Sequence, residues 1–398
     1  MPVDARAAVD ETWRTDAAGM LGVLARRLGD LDRAEEALQE ALAEALRRWP
    51  SDGVPGNPAG WLVTTAWHKA LDAIKREATG REKVAVLART PPDAPTGDDR
   101  LALIFACCHP ALPEPARMAL TLNAVAGLPT EAVAAAFLLP RTTMAQRLVR
   151  ARKSLRTSGV RVEVPPADEL GARLPAVLTV VYLIYNEGYL LHSEGHLARE
   201  GLDLARQLAH LMPREPEAAG LAALLELHEA RAAARFDERG RLVLLEEQDR
   251  SRWDGAMIRH AVGRLARAAA LDRPGPYQLQ AAIAAQHALA PSWPATNWAA
   301  VRTLYDRLQQ LTPSPVVSLS RAVATSFVAG PAVALDEVDA LAERLSAYRL
   351  WHATRGDLLL RLGRPDEAAE ALRRALALAT NPAERDLLTR RLAALSAP

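Results

Sequence analysis

The chain has 398 residues, which is enough for two or three domains of ordinary size. Hydrophobic residues make up 49% of it, which supports large cores, and the net charge of +1 means that any strongly basic segment is offset elsewhere. The first residues lack the apolar core of a signal peptide, and no apolar run of about 18 residues occurs. From these features we expect neither a secretory leader nor a membrane-spanning helix.

Two amphipathic helices are predicted first, over Glu11 to Leu28 and over Leu31 to Trp49, with Gly29-Asp30 between them. The second helix repeats apolar residues at helical spacing, namely Leu31, Ala34, Leu38, Leu42 and Leu46. Its outer face carries an acidic and amide patch, formed by Glu35, Glu36, Gln39 and Glu40. Such a patch serves solubility alone or docks on a basic protein surface, and both interpretations stay open at this point.

The next predicted helix runs from a cap at Asn57, with Pro58 in the favoured first position, to Glu77. It mixes aromatic, hydroxyl and basic side chains, namely Trp61, Thr64, Thr65, Trp67, His68, Lys69, Lys75 and Arg76. Unstacked nucleic-acid bases bind to aromatic rings that lie beside cations. Taken alone, however, the two tryptophans are expected to be core residues.

An extended linker is predicted over residues 78–97, because Pro91, Pro92, Pro95 and Gly97 interrupt it and it has no core of its own. Supporting helices of a second module follow. Their predicted core consists of Leu101, Ile104, Phe105, Met118 and Leu122.

Cys107 and Cys108 are the only cysteines, and their adjacency argues against a structural disulfide. We therefore expect a cytoplasmic protein. His109 completes a Cys-Cys-His cluster, but no second ligand pair follows at zinc-finger spacing. Metal binding is the less favoured interpretation, and we expect neither a metal nor another cofactor.

The segment from Leu128 to Arg156 predicts a helix-turn-helix. Thr130 is expected to cap a first helix whose buried face is Val133, Ala134 and Phe137. Leu138-Leu139-Pro140 ends that helix. A second helix begins near Arg141 to Thr143 and keeps one apolar face, formed by Met144, Leu148, Ala151 and Leu155.

This segment is also strongly basic, because no Asp or Glu occurs between Ala132 and Val162. The charge run alone is compatible with an ordinary solvated helix face. Together with the capped short helix and the break, it favours a recognition helix in the major groove, which uses Arg and Lys for phosphates and Arg, Gln or Thr for bases. The expected DNA contacts are Arg141, Thr142, Thr143, Gln146, Arg147, Arg150 and Lys153.

The chain resembles the two-domain core of bacterial extracytoplasmic-function (ECF) sigma factors over about its first 160 residues. The resemblance lies in an ordered set: the acidic helix GDLDRAEEALQEALAEAL, the helix NPAGWLVTTAWHKALDAIKRE, a linker, and a helix-turn-helix ending RLVRARKSLR. One departure is the first helix of the helix-turn-helix, which is nearly all alanine.

The resemblance implies specific partners, namely promoter DNA and core RNA polymerase through its β′ clamp and β flap. The patch of Glu35, Glu36, Gln39 and Glu40 corresponds to the region-two surface that binds the β′ clamp. The helix from Thr142 to Arg156 corresponds to the region-four helix that reads the minus-thirty-five element. The helix from Asn57 to Glu77 corresponds to the part that melts the minus-ten element, and the expected contacts are Asn57, Trp61, Thr64, Thr65, His68, Lys69 and Arg76.

After Val164-Pro165-Pro166 the charges become mixed and Ala-Leu helices follow one another, which indicates a separate domain. Pro213, Pro313 and Pro382 each lie in a turn after a helix, and their separations of 100 and 69 residues are close to three and two periods of about 34, the tetratricopeptide length. The clearest unit places Gly356, Leu359, Gly363, Ala368, Leu372 and Ala375 at packing positions. Stacked helix pairs leave a concave face for a protein or peptide partner.

Two stretches of this domain fall outside the repeat, over Val181 to Gly195 and Leu245 to Asp254. An enzyme would use Glu187, His192, Glu247 and Asp249 as an acid-base set, but no spacing specifies a metal or a nucleophile. Packed tyrosines and a polar network are the favoured interpretation. The same stretches resemble the ECF subgroup with a tetratricopeptide-like C-terminal extension, which implies that this extension controls sigma activity.

The sequence therefore predicts an all-α protein with two small sigma-type domains and a tetratricopeptide (TPR)-like helical extension. The region-two-like domain covers 1–77, the linker 78–97, the region-four-like domain 98–162 and the extension 163–398. We interpret the chain as a non-enzymatic sigma factor that binds core RNA polymerase and directs promoter-specific initiation, with the extension as its regulator.

Two other classes of function are compatible with parts of the sequence. A one-component regulator would combine the helix-turn-helix with a TPR-like sensor of a ligand or peptide, but it leaves Asp30 to Glu77 without a role. A helical scaffold without a DNA role would not explain why no Asp or Glu occurs between Ala132 and Val162.

Overall fold

The computed structural model describes residues 5–77, 95–137, 139–190 and 195–396. Most of the predicted linker and Leu138 therefore lie outside the described residues. The described chain is helical and has no strands beyond an isolated bridge between Phe236 and Leu242, which confirms the all-α prediction. It divides into two compact units, Met1–Leu211 and Met212–Pro398. The first unit thus contains both sigma-like domains and the first two helices of the predicted extension.

The first unit opens with α1 (Ala5–Leu28), α2 (Leu31–Asp52) and α3 (Pro58–Glu77). Gly29 ends α1 in a left-handed conformation, and Asp30 begins α2 by accepting hydrogen bonds from the backbone N–H groups of Asp32 and Arg33 at 2.9 and 3.3 Å. The predicted apolar face of α2 was only partly right, because Leu46 is 46% exposed. The buried residues are Ala34, Ala37, Leu38, Ala41, Ala45 and Trp49, and the four alanines among them let neighbouring helices approach closely.

The second sigma-like domain consists of α4 (Gly97–Cys107), α5 (Glu114–Ala124), α6 (Thr130–Ala136) and α7 (Arg141–Thr157). Its predicted core is buried at Leu101, Ile104, Phe105 and Leu122, whereas Met118 is only half-buried. The prediction that Thr130 precedes α6 was wrong, because Thr130 is the first helical residue and the Pro129 carbonyl accepts the first helical hydrogen bond, from Val133.

Helix α1 packs directly on α4, so the two sigma-like domains contact each other. Gly22 in α1 lies against the backbone of Asp99, and a Cβ at that position would be 2.4 Å from the Asp99 carbonyl oxygen. Asp99 is 1% exposed; its carboxylate accepts hydrogen bonds from the Thr96 N–H and hydroxyl and pairs with Arg26 at 2.8 Å. This contact therefore combines close backbone packing with an ion pair whose carboxylate is buried and whose guanidinium is half-exposed.

Helices α8 (Ala167–Leu190) and α9 (Gly195–Leu211) complete the first unit. They pack on each other, and α9 also contacts α4. Gly201 permits the close approach, since a Cβ there would be 2.7 Å from the Tyr185 backbone nitrogen. Tyr185 is fully buried and stacks on Tyr189 with ring centroids 5.4 Å apart, in keeping with the expected packing role of the tyrosines.

The second unit is a series of helices: α10 (Pro216–Glu229), α11 (Gly255–Ala269), α12 (Pro276–Leu289), α13 (Trp298–Leu311), α14 (Pro315–Val328), α15 (Pro331–Asp339), α16 (Ala342–Leu345), α17 (Arg349–Arg361), α18 (Pro365–Leu378) and α19 (Pro382–Ser396). The predicted repeat unit forms the pair α17 and α18. Gly356 faces Leu372 there, with a Cβ position 3.0 Å from Leu372 Cγ. The Trp351 indole N–H donates to the Val338 carbonyl at 2.8 Å and ties this pair to α15.

The stretch from Leu245 to Asp254 has structural roles in this unit. Asp249 accepts hydrogen bonds from the N–H and the hydroxyl of Ser251, and the hydroxyl bond lowers the pKa of the Asp249 carboxyl most. Arg250 donates to the carbonyls of His287 and Ala290 at 2.6 and 2.9 Å and stacks on Trp253. In the stretch from Val181 to Gly195, His192 and the side chain of Glu187 lie outside the described residues.

Candidate nucleic-acid and polymerase interface

The side chains of the acidic patch of α2 point in two directions, toward solvent and toward α7. Glu36, Gln39 and Glu40 are exposed. Glu35 is half-buried and forms an ion pair with Arg152 of α7. Next to the exposed side, α2 and α3 enclose an open groove of about 290 Å³, lined by Arg33, Glu36, Ala37, Glu40, Lys69, Ala70, Ala73 and Arg76. A basic protein surface therefore has direct access to Glu36, Gln39 and Glu40 in this arrangement.

Helix α3 brings part of the predicted minus-ten set onto one face. Asn57 accepts a hydrogen bond from the Gly60 N–H at 2.9 Å and thereby caps the helix, as predicted. The helical spacing places Trp61, Thr64, Thr65 and His68 on one partly exposed stripe. Trp61 packs edge-on against Trp49 with ring centroids 5.5 Å apart, which fixes the indole but leaves it partly open to solvent. Trp67 is 2% exposed and belongs to the core, as expected.

Lys69 and Arg76 lie away from this stripe, on the side of α3 that lines the groove with α2. The Lys69 ammonium is 3.5 Å from the Glu44 carboxylate and 4.0 Å from that of Glu40. The structure therefore separates the predicted minus-ten residues into an aromatic and hydroxyl stripe and a basic edge shared with the acidic patch.

Helix α7 has the two faces that its sequence predicted. Met144, Leu148, Ala151 and Leu155 are buried. Six of the seven predicted DNA contacts are exposed, namely Arg141, Thr142, Thr143, Gln146, Arg150 and Lys153, and Arg147 is half-buried. Pro140 precedes the helix, and its carbonyl accepts the first helical hydrogen bond, from Met144 at 3.1 Å. The short helix α6 packs against α7, so the pair forms a helix-turn-helix.

Three of the basic side chains at this surface are held by neighbours. Arg141 forms an ion pair with Glu131. The Arg147 guanidinium lies 5.7 Å from the centroid of the Phe137 ring, and Arg150 donates to the Gln146 side-chain oxygen at 3.4 Å. These contacts preorganise the cations without burying them.

Val149 is a surface residue of α7 that the sequence reasoning did not single out. It is 66% exposed, more than any other large apolar side chain in the described part of the chain. Its spacing from Gln146 and Lys153 was the available signal, because positions three and four apart share a helix face. The predicted reading face therefore includes one exposed apolar side chain.

Arg152 and Arg156 were also not assigned contacts from sequence, and they point toward α2. Arg152 donates to the Asn123 side-chain oxygen at 2.8 Å and pairs with Glu35 and, at 3.6 Å, with Asp32. Arg156 lies 3.4 Å from Asp32 and 3.6 Å from Asp30. The basic helix thus uses its lateral arginines to contact the acidic N-terminal turn of α2.

The Cys-Cys-His cluster belongs to the core of the second sigma-like domain. Both cysteines are buried, and burial raises the pKa of Cys107 far above its ordinary value and that of Cys108 to about 11. The Cys108 sulfur lies 3.7 Å from the Thr121 hydroxyl, and His109 Nδ1 accepts the Ala111 N–H at 3.1 Å. Across the described residues, no group of three His, Cys, Asp or Glu side chains is placed to hold a metal ion.

Arg100 joins three helices of the first unit. It donates to the Thr15 carbonyl in α1 at 2.7 Å and lies 3.8 Å from the Glu200 carboxylate in α9. Burial raises the pKa of Glu200 to about 7, although Arg100 acts in the opposite direction. The start of the extension is therefore tied electrostatically to both sigma-like domains.

Comparison with known families assigns most of the first unit. Residues 17–79 match sigma-70 region 2, and residues 102–155 match sigma-70 region 4. Residues 173–269 match a family of unknown function, DUF6596, and residues 350–382 match the tetratricopeptide repeat, over α17 and α18. No helix in the described residues is both long and apolar enough to cross a membrane.

Two relatives show how far the similarity extends. The chain is 43% identical over 381 residues to "Uncharacterized protein R00370" of Rhizobium meliloti, covering 92% of this chain and 90% of that protein. It is 28% identical over 171 residues to "Probable ECF RNA polymerase sigma factor SigI" of Mycobacterium tuberculosis, covering 40% of this chain and 58% of that protein.

Both sigma-70 regions occur in the order that the motifs predicted, a tetratricopeptide repeat follows near the C-terminal end, and 40% of the chain is similar to an ECF sigma factor. The chain therefore belongs to the ECF RNA polymerase sigma factors with a tetratricopeptide-like C-terminal extension, and it is a sigma-type transcription initiation factor.

Proposed function

We propose that this protein binds core RNA polymerase in the cytoplasm through α2 and directs it to a restricted set of promoters. Its helix-turn-helix reads the minus-thirty-five element, and α3 opens the minus-ten element. The observation that carries this proposal is the division of α7 into a fully packed apolar face and an exposed face of Thr142, Thr143, Gln146, Arg150 and Lys153. Such a face offers both phosphate contacts and hydrogen bonds to base edges.

The stripe on α3 fits the opening of a duplex. Unstacking a base costs a few kcal/mol, and an aromatic ring beside hydroxyl and basic groups offsets part of that cost by stacking and hydrogen bonding. Trp61 offers a fixed, partly exposed indole, and Thr64, Thr65 and His68 lie along the same face. Polymerase supplies the chemistry of RNA synthesis, so this chain needs no catalytic group.

Core polymerase is proposed to bind the exposed acidic side of α2. Glu36, Gln39 and Glu40 are exposed and lie beside an open groove, which suits a basic helical partner such as the coiled coil of the β′ clamp. The second sigma-like domain is expected to contact the β flap, as the family resemblance implies.

The C-terminal extension is proposed to regulate sigma activity. This is supported by α8 and α9, which belong to the same compact unit as the sigma-like domains, and by Arg100, which contacts both α1 and Glu200 of α9. A protein or peptide that binds the concave face of the TPR-like helices would be the source of the signal.

Promoter-directed transcription with purified core polymerase tests these proposals. The full chain is expected to co-purify with core polymerase and to support transcription from promoters enriched by the resulting holoenzyme. Binding of DNA without any association with polymerase would overturn the sigma assignment in favour of a one-component regulator. A chain ending at Leu211, the boundary of the first unit, is expected to give altered transcription, and unchanged transcription would overturn the regulatory role.

A further inference from the structure

Val149 lies on the exposed polar side of α7, three residues after Gln146 and four before Lys153, and two-thirds of it is exposed. The other large apolar residues of this helix, Met144, Leu148 and Leu155, are buried. A β-branched residue has a lower helix propensity than alanine, and at this exposure it gains little from packing in the chain. The fold therefore does not require a valine at this position.

We propose that Val149 contacts the C5-methyl group of a thymine in the minus-thirty-five element and so contributes to promoter specificity. This inference rests on the proposed DNA-reading role of α7. Thymine is the only DNA base that presents a methyl group in the major groove, and apolar side chains recognise it there. Gln146 and Lys153 lie one turn before and one turn after Val149 on the same side of the helix, and glutamine and lysine side chains hydrogen-bond to base edges, which places the valine beside groups that read bases.

The test measures binding of holoenzyme, assembled from core polymerase and the full chain, to a promoter duplex enriched from a randomised library. Each thymine of the upstream element is replaced in turn by deoxyuridine, which removes only the methyl group. Burying one methyl group against Val149 corresponds to about a four-fold change in affinity. Wild-type holoenzyme should therefore bind about four-fold more weakly to the duplex changed at one thymine.

Val149→Ala should bind the thymine and deoxyuridine duplexes equally well at that position. It should fold normally, because the side chain is exposed and alanine favours a helix. Arg150→Ala is the matched control: it should weaken binding to both duplexes and keep their ratio. The inference is overturned if no thymine shows a methyl effect, or if the effect persists in Val149→Ala. Failure of the sigma role itself would appear earlier, as absence of holoenzyme or of an enriched sequence.

A separate observation concerns the contact between α2 and α7. Arg152 is 18% exposed and pairs with Glu35 and Asp32, and Arg156 pairs with Asp32 and Asp30. Glu35 belongs to the patch that is proposed to bind polymerase. The arginines of α7 therefore bind Glu35, at one end of that patch. Core polymerase would contact the same end.

We infer that this contact is autoinhibitory: in the free protein α7 forms ion pairs with Asp30, Asp32 and Glu35, at the end of the patch next to the exposed Glu36, Gln39 and Glu40, and polymerase binding displaces it. The charges support this, since the basic helix α7 lies where a basic helical partner such as the coiled coil of the β′ clamp would bind. The close packing of Gly22 on Asp99 holds the two domains in the same closed arrangement. Separation of the domains would also free the recognition helix to reach its own promoter element.

Distances and affinities test this inference together. Fluorescent labels at Asp72→Cys and Ser158→Cys, both at exposed positions on different domains, report the spacing of the domains, and the buried native cysteines should remain unlabelled. Arg152→Ala should increase the label distance and raise the affinity for core polymerase about five-fold, the value of a strong ion pair. Arg156→Ala, which changes a half-exposed residue and preserves the fold, should act in the same direction to a smaller extent.

Arg173→Ala is a matched control, because Arg173 pairs with Glu169 within α8 and should change neither quantity. The inference is overturned if Arg152→Ala and Arg156→Ala leave both the label distance and the polymerase affinity unchanged. Weaker polymerase binding in both variants would also overturn it, since the arginines would then assist the complex.

Discussion

Substitution of Gly22 by alanine gives a direct test of the packing between the sigma-like domains. The added Cβ would lie 2.4 Å from the Asp99 carbonyl oxygen and 2.9 Å from its carbonyl carbon. These are backbone atoms of the first turn of α4, so they cannot move aside as a flexible side chain would. The substitution therefore forces α1 and α4 apart.

Two opposing effects set the magnitude. Alanine is favoured over glycine inside a helix by about 1 kcal/mol, which would stabilise α1 in isolation. Overpacking a close contact costs about 1 to 3 kcal/mol. We expect a net loss of up to about 2 kcal/mol in the free energy of unfolding. Gly171→Ala is the matched control, because Gly171 is also helical but a Cβ there meets no atom within 4 Å, so this variant should be stabilised.

Urea-dependent labelling of Cys107 and Cys108 measures the effect in the unit that contains Gly22. Both thiols are buried in that unit, so they react only when it opens. Gly22→Ala should lower the urea midpoint relative to wild type, and Gly171→Ala should raise it. Equal stabilisation by the two substitutions would refute the packing of α1 on α4, and with it the closed arrangement of the domains.

Three further predictions concern other parts of the first unit. The raised pKa of Glu200, about 7 against an ordinary 4.5, means that its contribution to stability is fully present below pH 4.5 and is lost as the pH rises through 7. Relative to Glu200→Gln, wild type should therefore lose up to about 3 kcal/mol of unfolding free energy between pH 4.5 and pH 7. Thermal denaturation of both proteins across this pH range measures the difference. A difference that does not change with pH would contradict the raised pKa of Glu200. Native Cys107 and Cys108 should resist thiol reagents at pH values where an exposed cysteine reacts within minutes, because burial raises both pKa values, and rapid labelling of folded protein would refute this burial. Arg147→Ala and Arg150→Ala should each weaken promoter binding by about 1 to 3 kcal/mol if the side chain contacts a base. The circular dichroism spectra of both variants should match that of wild type. Unaltered binding by both variants would remove the recognition-helix assignment.

The local features of this fold could be predicted from sequence because their causes are local. Asp30 and Asn57 cap helices through bonds to residues two or three positions away, and the apolar spacing of α7 fixes which side is buried. The same periodicity placed Thr142, Gln146, Arg150 and Lys153 on one exposed face. The order of the domains followed from motifs of this kind, which the family comparisons then confirmed.

The sites were predicted less completely, because a helix face specifies which side chains are neighbours but not which helix they meet. Sequence grouped Lys69 and Arg76 with Trp61, whereas the packing of α2 on α3 places them beside Glu36 and Glu40. The apolar side of α2 was predicted as Leu31, Ala34, Leu38, Leu42 and Leu46, whereas packing against α1 and α3 buries Ala34, Ala37, Leu38, Ala41, Ala45 and Trp49. The helical spacing of Val149 could be read from the sequence, but its exposure could not.

What the sequence by itself determined is the all-α class, the cap at Asn57, the two faces of α7 and the identity of the family, since each depends on contacts within a few residues or on motif order. Only the tertiary structure decided that Glu35 meets Arg152, that Gly22 lies against Asp99, and that Glu200 is buried beside Arg100. These contacts join residues far apart in the chain, and their energies depend on burial and distance, which are properties of the packed helices and not of any one segment.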